Sequence, residues 1–175
     1  KEVLSGADAI FAEDTRQAGK LLQAVGIVKK PLSTLHEHSG ILAFEAVETF
    51  LKEGKNVVYI SDAGTPGISD PGGKLVEYIA SALADAPIVP ISGPSAVATA
   101  LSVCGFSADK FLFLGFPPQK NKRNAFFAEV ANSAHTVVFY ESCHRIHKCL
   151  EELSAALSLD RKIVVCRELT KKFET

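Results

Sequence analysis

Ser61-Asp62-Ala63-Gly64-Thr65-Pro66-Gly67-Ile68-Ser69-Asp70-Pro71-Gly72-Gly73 is the run whose reading decides the fold of this chain. It follows Val57-Val58-Tyr59-Ile60, a short β-branched and aromatic stretch that reads as a buried strand. Four Gly and two Pro among the thirteen residues are too many for the interior of a helix or a sheet. Lys74-Leu75-Val76-Glu77-Tyr78-Ile79 then resumes a helical pattern. A rigid, small-residue loop at the carboxyl end of a parallel strand is where open α/β sheets bind ligands. The run therefore points to a small-molecule site.

Outward from this loop the same alternation continues in both directions. Strands are expected over 9–12, 57–60, 87–91, 111–114, 136–140 and 162–166, with a short extended piece over 31–35. Helices are expected over 15–25, 41–51, 74–83, 97–103, 125–130 and 146–157, with the chain already opening in one at 1–4. In the 41–51 helix, Ile41, Leu42, Phe44, Ala46, Val47, Phe50 and Leu51 are expected to face inward, with Glu45, Glu48 and Lys52 outward. Pro94 suits a first helical turn, where its missing N–H costs nothing. The polar, basic stretch Gln119-Lys120-Asn121-Lys122-Arg123-Asn124 is the sharpest change of composition. It divides the chain into an N-terminal α/β domain, 1–116, carrying the loops, and an incomplete C-terminal α/β domain, 117–175.

Composition narrows the partners. Of 175 residues, 47% are hydrophobic and 22% charged, as in a globular protein with a real core. A net charge of −1 provides no overall field toward nucleic acid or membrane, so any RNA contact must be local. No apolar run approaches the roughly 20 residues that cross a bilayer. The chain does not open on a basic-then-apolar segment, and a cytoplasmic protein is expected. Cys104, Cys143, Cys149 and Cys166 form no CxxC pair and are expected to be reduced structural thiols. Met is absent even at position 1, so the sequence is expected to be a piece of a longer protein.

Three expected strand ends carry chemistry: Ala12-Glu13-Asp14-Thr15-Arg16, Ser61-Asp62-Ala63-Gly64-Thr65-Pro66 and Ser92-Gly93-Pro94-Ser95-Ala96. In a parallel sheet they share one edge, and two small-residue loops there let backbone groups approach a ligand. A helix starting at Ser95 would favour an anionic group. GxGxxG, GxxxxGK[ST] and GxSxG are all missing, so this is neither a nucleotide fingerprint nor a nucleophile elbow. Asp14 reads either as the cap of the next helix or, with Glu13, as a carboxylate that accepts a proton. Arg16 reads as an ion-pair partner of Glu13 or as a grip on RNA phosphate. His36-Glu37-His38 lacks a third ligand, and no metal is expected. Lys120, Lys122 and Arg123 read as a solvated run or as contacts to a phosphate backbone. His144 and Arg145 follow another strand end.

Taken in order, these runs, with Ser69-Asp70-Pro71-Gly72, Phe139-Tyr140-Glu141-Ser142, His144-Arg145 and Arg167-Glu168-Leu169-Thr170-Lys171, resemble the small-subunit ribosomal RNA methyltransferase I family of the tetrapyrrole methylase superfamily. The resemblance spans the whole chain. It implies a tetrapyrrole-methylase-like fold of two α/β domains with the cofactor in the cleft between them, and a homodimer. It also implies S-adenosylmethionine-dependent methyl transfer to the ribose 2′-hydroxyl of a cytidine in 16S rRNA of the small ribosomal subunit. Asp62, Thr65, Ser95, Ala96 and Tyr140 match positions where relatives hold S-adenosylmethionine, with Ala63, Gly64 and Gly93 in the same loops. Glu13, Asp14 and Arg16 match the run on the substrate side and are the candidate catalytic residues. The family's opening strand, ending in a Pro-Ile-Gly-Asn loop, and its closing strands are absent from this sequence, so the chain alone is expected to bind cofactor weakly or not at all. Rival readings are a precorrin-type tetrapyrrole methyltransferase and a non-catalytic RNA-binding fragment. A nucleotide-phosphate enzyme would need a P-loop that is missing.

Overall fold

A computed structural model describes residues 1–36 and 38–175, and the chain divides into two compact units, Lys1–Pro94 and Ser95–Thr175. The first opens with α1 (Glu2–Gly6), β1 (Ala9–Ala12), α2 (Thr15–Ala24) and β2 (Leu32–Thr34). It continues through α3 (Ile41–Lys52), β3 (Val57–Ile60) and α4 (Gly72–Ala82). Its sheet is parallel, in the order β2-β1-β3, with Ala12 in register with Ile60.

All four residues of β1 are buried, which explains why Ala9-Ile10-Phe11-Ala12 reads as a continuous apolar run. Alternate side chains enter different cores. Ala9 and Phe11 pack with Leu35, Val47 of α3, and Leu75 and Ile79 of α4. Ile10 packs with Ala7, Leu22 of α2 and Ile27. Helices thus cover both faces, the α/β architecture that the alternation implied.

The second unit holds α5 (Ala96–Val103), β4 (Phe111–Phe113), α6 (Arg123–Asn132), β5 (Thr136–Val138) and α7 (Ile146–Ala156). Strands β4 and β5 pair in parallel. Phe126, Phe127 and Val130 of α6 meet Cys149 and Leu153 of α7 in its core. The composition break expected at 116/117 falls inside this unit, because β4 and the basic stretch after it are tied to β5 and α7.

Several expectations are corrected. Residues 87–91 and 162–166 are not strands, since a strand needs a hydrogen-bonded neighbour and none pairs with them among the described residues. Pro87 and Pro90 lack donors, and Val89 and Val165 are exposed. In α3 Val47 is buried and Phe44, Phe50 and Leu51 pack partly against the core, but Ile41, Leu42 and Ala46 are exposed. Glu48 turns toward the α3–α4 contact instead, accepting from the Tyr78 hydroxyl and pairing with Lys52. Pro94 lies before the cap of α5 rather than in its first turn: Ser95 is the N-cap.

Candidate functional site

Parallel pairing of β1 and β3 brings their following loops to one rim. The Glu13 backbone N–H donates to the Ile60 carbonyl at 3.2 Å, and the Asp62 N–H donates to Glu13 Oε2 at 3.4 Å. Asp62, Ala63 and Gly64 are exposed. Gly64 has φ +76°, a conformation L side chains rarely adopt, and a Cβ there would meet nothing within 4 Å. The amides of Ala63, Gly64 and Gly93 have no protein acceptor among the described residues, and Gly93 also faces open space. Beside the rim a hollow of about 320 Å³ opens between Gln17 and Leu21 of α2 and the Ala12, Ile60 and Asp62 strand ends.

The third expected strand end is present without its strand. Thr65 Oγ1 donates to the Pro94 carbonyl at 3.3 Å, joining the 61–66 loop to the 92–94 loop inside the first unit. Ser95 Oγ accepts from the Ala98 N–H at 3.4 Å, so its hydroxyl already caps α5, next to exposed Ala96.

Glu13 and Asp14 separate in role. Asp14 caps α2 by accepting from the Arg16 N–H at 2.8 Å, and the Arg16 guanidinium grips the same carboxylate at 2.7 Å. That guanidinium, with the backbone N–H, holds the Asp14 carboxyl down at about 2. The Arg16 partner is therefore Asp14, not Glu13, because the cap geometry already aims the Asp14 carboxylate over the first turn. Arg16 itself is 86% exposed at its side chain. Glu13 keeps a carboxylate whose only protein contact among the described residues is the long one from Asp62.

Behind the rim lies Tyr59, whose buried hydroxyl has no partner among the described residues. Burial first, then the charges of Asp70, Glu13 and Asp62, push that hydroxyl far above the usual phenol range. These three carboxylates thus surround one strand end.

In the second unit, Tyr140 stacks edge-on to Phe113 with ring centroids 5.0 Å apart and leans on Phe116, and burial pushes its hydroxyl up. Glu141 beside it is 2% exposed and pairs with Arg145 at 2.8 Å. His144 and Cys143 remain exposed. Of the basic trio, Lys120 and Lys122 are exposed, but Arg123 is not available to a phosphate. Its guanidinium, 8% exposed, pairs with Glu152, donates to the Pro118 carbonyl at 2.9 Å and lies over the Phe127 ring. The sequence missed this because Glu152 is 29 residues away. His36 and His38 face each other at 6.0 Å, while Glu37 lies outside the described residues.

Comparison with known proteins gives the family. The description "Tetrapyrrole (Corrin/Porphyrin) Methylases" matches residues 1–175. The chain belongs to the tetrapyrrole methylase family. Among relatives of this methylase chain, the ribosomal RNA small subunit methyltransferase I of Haemophilus influenzae is 44% identical over 99% of the chain and 61% of the relative's own length. Its counterpart from Escherichia coli O157:H7 is 43% identical over 99% of the chain and 60% of that relative. The Xylella fastidiosa protein of the same name is 42% identical over the full chain and 63% of its own length. The methylase chain thus spans about three fifths of the curated relatives it matches.

Proposed function

We propose that this chain is the greater part of an S-adenosylmethionine-dependent methyltransferase acting on the ribose 2′-hydroxyl of a cytidine in 16S rRNA, working as a cytoplasmic homodimer. The observation that carries the reading is the junction of Asp62-Ala63-Gly64-Thr65 with Pro94: two small-residue loops, bonded to each other, with free amides and open space beside them. Relatives named for ribosomal RNA methylation, alike over nearly the whole chain, support the substrate.

S-adenosylmethionine, when bound, supplies a methyl group already activated on a sulfonium. The residues present fit such a donor. Unpaired amides at Ala63, Gly64 and Gly93 suit its polar groups, and the exposed Asp62 carboxylate suits its positive charge. For Ser95, Ala96 and Tyr140 a part in holding the donor rests on the family resemblance alone. The protein's main task is then orientation and exclusion of water, an effect worth about 7–11 kcal/mol in favourable cases. Glu13 is the residue to accept the hydroxyl proton, a service worth about 10²–10⁴-fold. Asp14 is a poor base, since Arg16 keeps its carboxylate from protons. Lys120 and Lys122 contact the phosphate backbone.

Incubation of the full-length protein with labelled methyl donor and small ribosomal subunits, followed by mapping of the label, tests this. Label in a cytidine ribose is expected. Label only in a porphyrin-type acceptor, or none in ribose, overturns the RNA assignment.

A further inference from the structure

Asp70 stands outside the loop segment that faces open space, yet it organises that segment. Its Oδ1 accepts from two backbone amides at once, Gly67 N–H at 2.7 Å and Gly72 N–H at 2.7 Å. These amides lie at the two ends of a reversal in which Gly67 (φ +85°) and Ser69 (φ +57°) both take left-handed conformations. Ser69 pays strain for this that an ordinary loop residue avoids. The reversal is also closed sterically. A Cβ on Gly72 would come within 2.7 Å of Tyr59 Cε1 and 3.0 Å of the Gly67 nitrogen, and one on Gly73 within 3.3 Å of the Gly67 carbonyl oxygen. The turn is therefore pressed against β3 through Tyr59. Its exit continues straight into α4, and its entrance is two residues from Thr65, whose hydroxyl holds Pro94. Asp70 Oδ2 is buried with no protein partner among the described residues. The carboxylate is thus retained for the two amides that its other oxygen gathers.

We propose that Asp70 is the positioning residue of the donor site: by clasping Gly67 and Gly72 it fixes the 61–67 arm against β3, and through Thr65 and Pro94 it sets the spacing of both small-residue loops. This rests on the proposed S-adenosylmethionine site, but the clasp itself can be tested apart from it. Asp70 is assigned no contact of its own with donor or RNA; it acts through the backbone amides it gathers.

The experiment compares the full-length protein with its Asp70→Ala, Asp70→Asn and Asp70→Glu variants. Exchange of the Gly67 and Gly72 amides reads the clasp, and calorimetry with S-adenosylmethionine reads the donor site. Anisotropy with a labelled RNA reads the remaining surface. In Asp70→Ala both amides exchange about tenfold faster or more, and donor affinity falls about tenfold, while RNA affinity stays within about twofold. Asp70→Asn keeps the accepting oxygen and restores protection and affinity to within about threefold. In turnover, the donor KM rises in Asp70→Ala with kcat nearly unchanged, a split that general loss of folded protein does not give. Unchanged amide exchange, or unchanged donor affinity in Asp70→Ala, overturns the proposal. If Asp70→Ala does not fold, Asp70→Glu, which displaces the accepting oxygen by one methylene, decides: faster exchange of both amides with weakened donor binding supports the proposal, and unchanged exchange or full affinity overturns it. A full-length protein that binds no donor removes the site reading, and amide exchange then settles the clasp alone.

Discussion

The two units carry opposite charge. Residues 1–94 hold eight Lys and Arg against twelve Asp and Glu, whereas 95–175 hold eleven against eight. The acidic unit bears the small-residue loops and a three-stranded sheet covered by helices on both faces. The basic unit bears the exposed Lys120 and Lys122 and a two-stranded sheet. A net charge of −1 therefore conceals a difference in sign between the units that averaging over the chain erases.

The sharpest way to break this comparison is Arg123→Ala. Inside the basic unit Arg123 acts as structure, and removing it leaves Glu141 and Glu152 without their shared cation. A loss of about 3–5 kcal/mol is expected in denaturant unfolding. Wild-type stability combined with weakened RNA binding would return Arg123 to the surface set.

Next in size is the contrast within the rim. Glu13→Ala is expected to lower turnover by about 10²-fold. Asp14→Ala loosens the start of α2 and costs turnover far less. Its carboxyl is depressed in the folded state, so its support for stability is full above its ordinary value of 3.8 and is lost as the pH falls toward about 2. Thermal melts of parent and Asp14→Ala should therefore converge across that window. Turnover undiminished in both variants would leave the proton acceptor elsewhere.

Asp62→Ala tests the acidic unit's share and should weaken donor binding about tenfold with RNA affinity intact. The smallest effect belongs to Lys120→Ala with Lys122→Ala. Stability should move by less than about 0.5 kcal/mol. The slope of log affinity for single-stranded RNA against log salt should fall by about 0.7 per lost contact. A salt slope equal to the parent's would show that the basic stretch is merely solvated.

Residue type carried much of this. The apolar run Ala9–Ala12 read as a short strand, and Asp14 before Thr15 read as a helix cap or a proton acceptor; the strand and the cap are both present. The place of the candidate site was also legible, since Gly and Pro in 61–73 admit few structures other than a turn. Asp70 was visible only as part of a motif. Its spacing of two residues from Gly72 favours a local side-chain-to-backbone bond, but the second bond, to Gly67, depends on the turn closing. Residues 87–91 misled because β-branched composition states a preference, while a strand requires a partner.

By itself the sequence determined the helices, the strands that find a partner, the loop at 61–73 and the family, because these follow from local sterics, periodicity and residue identity. Only the tertiary structure decided that Arg123 faces Glu152 and that Thr65 reaches Pro94. Charges and hydroxyls carry no address in the chain. Several partners satisfy them equally, and the choice is made by which backbone segments packing brings within about 3 Å.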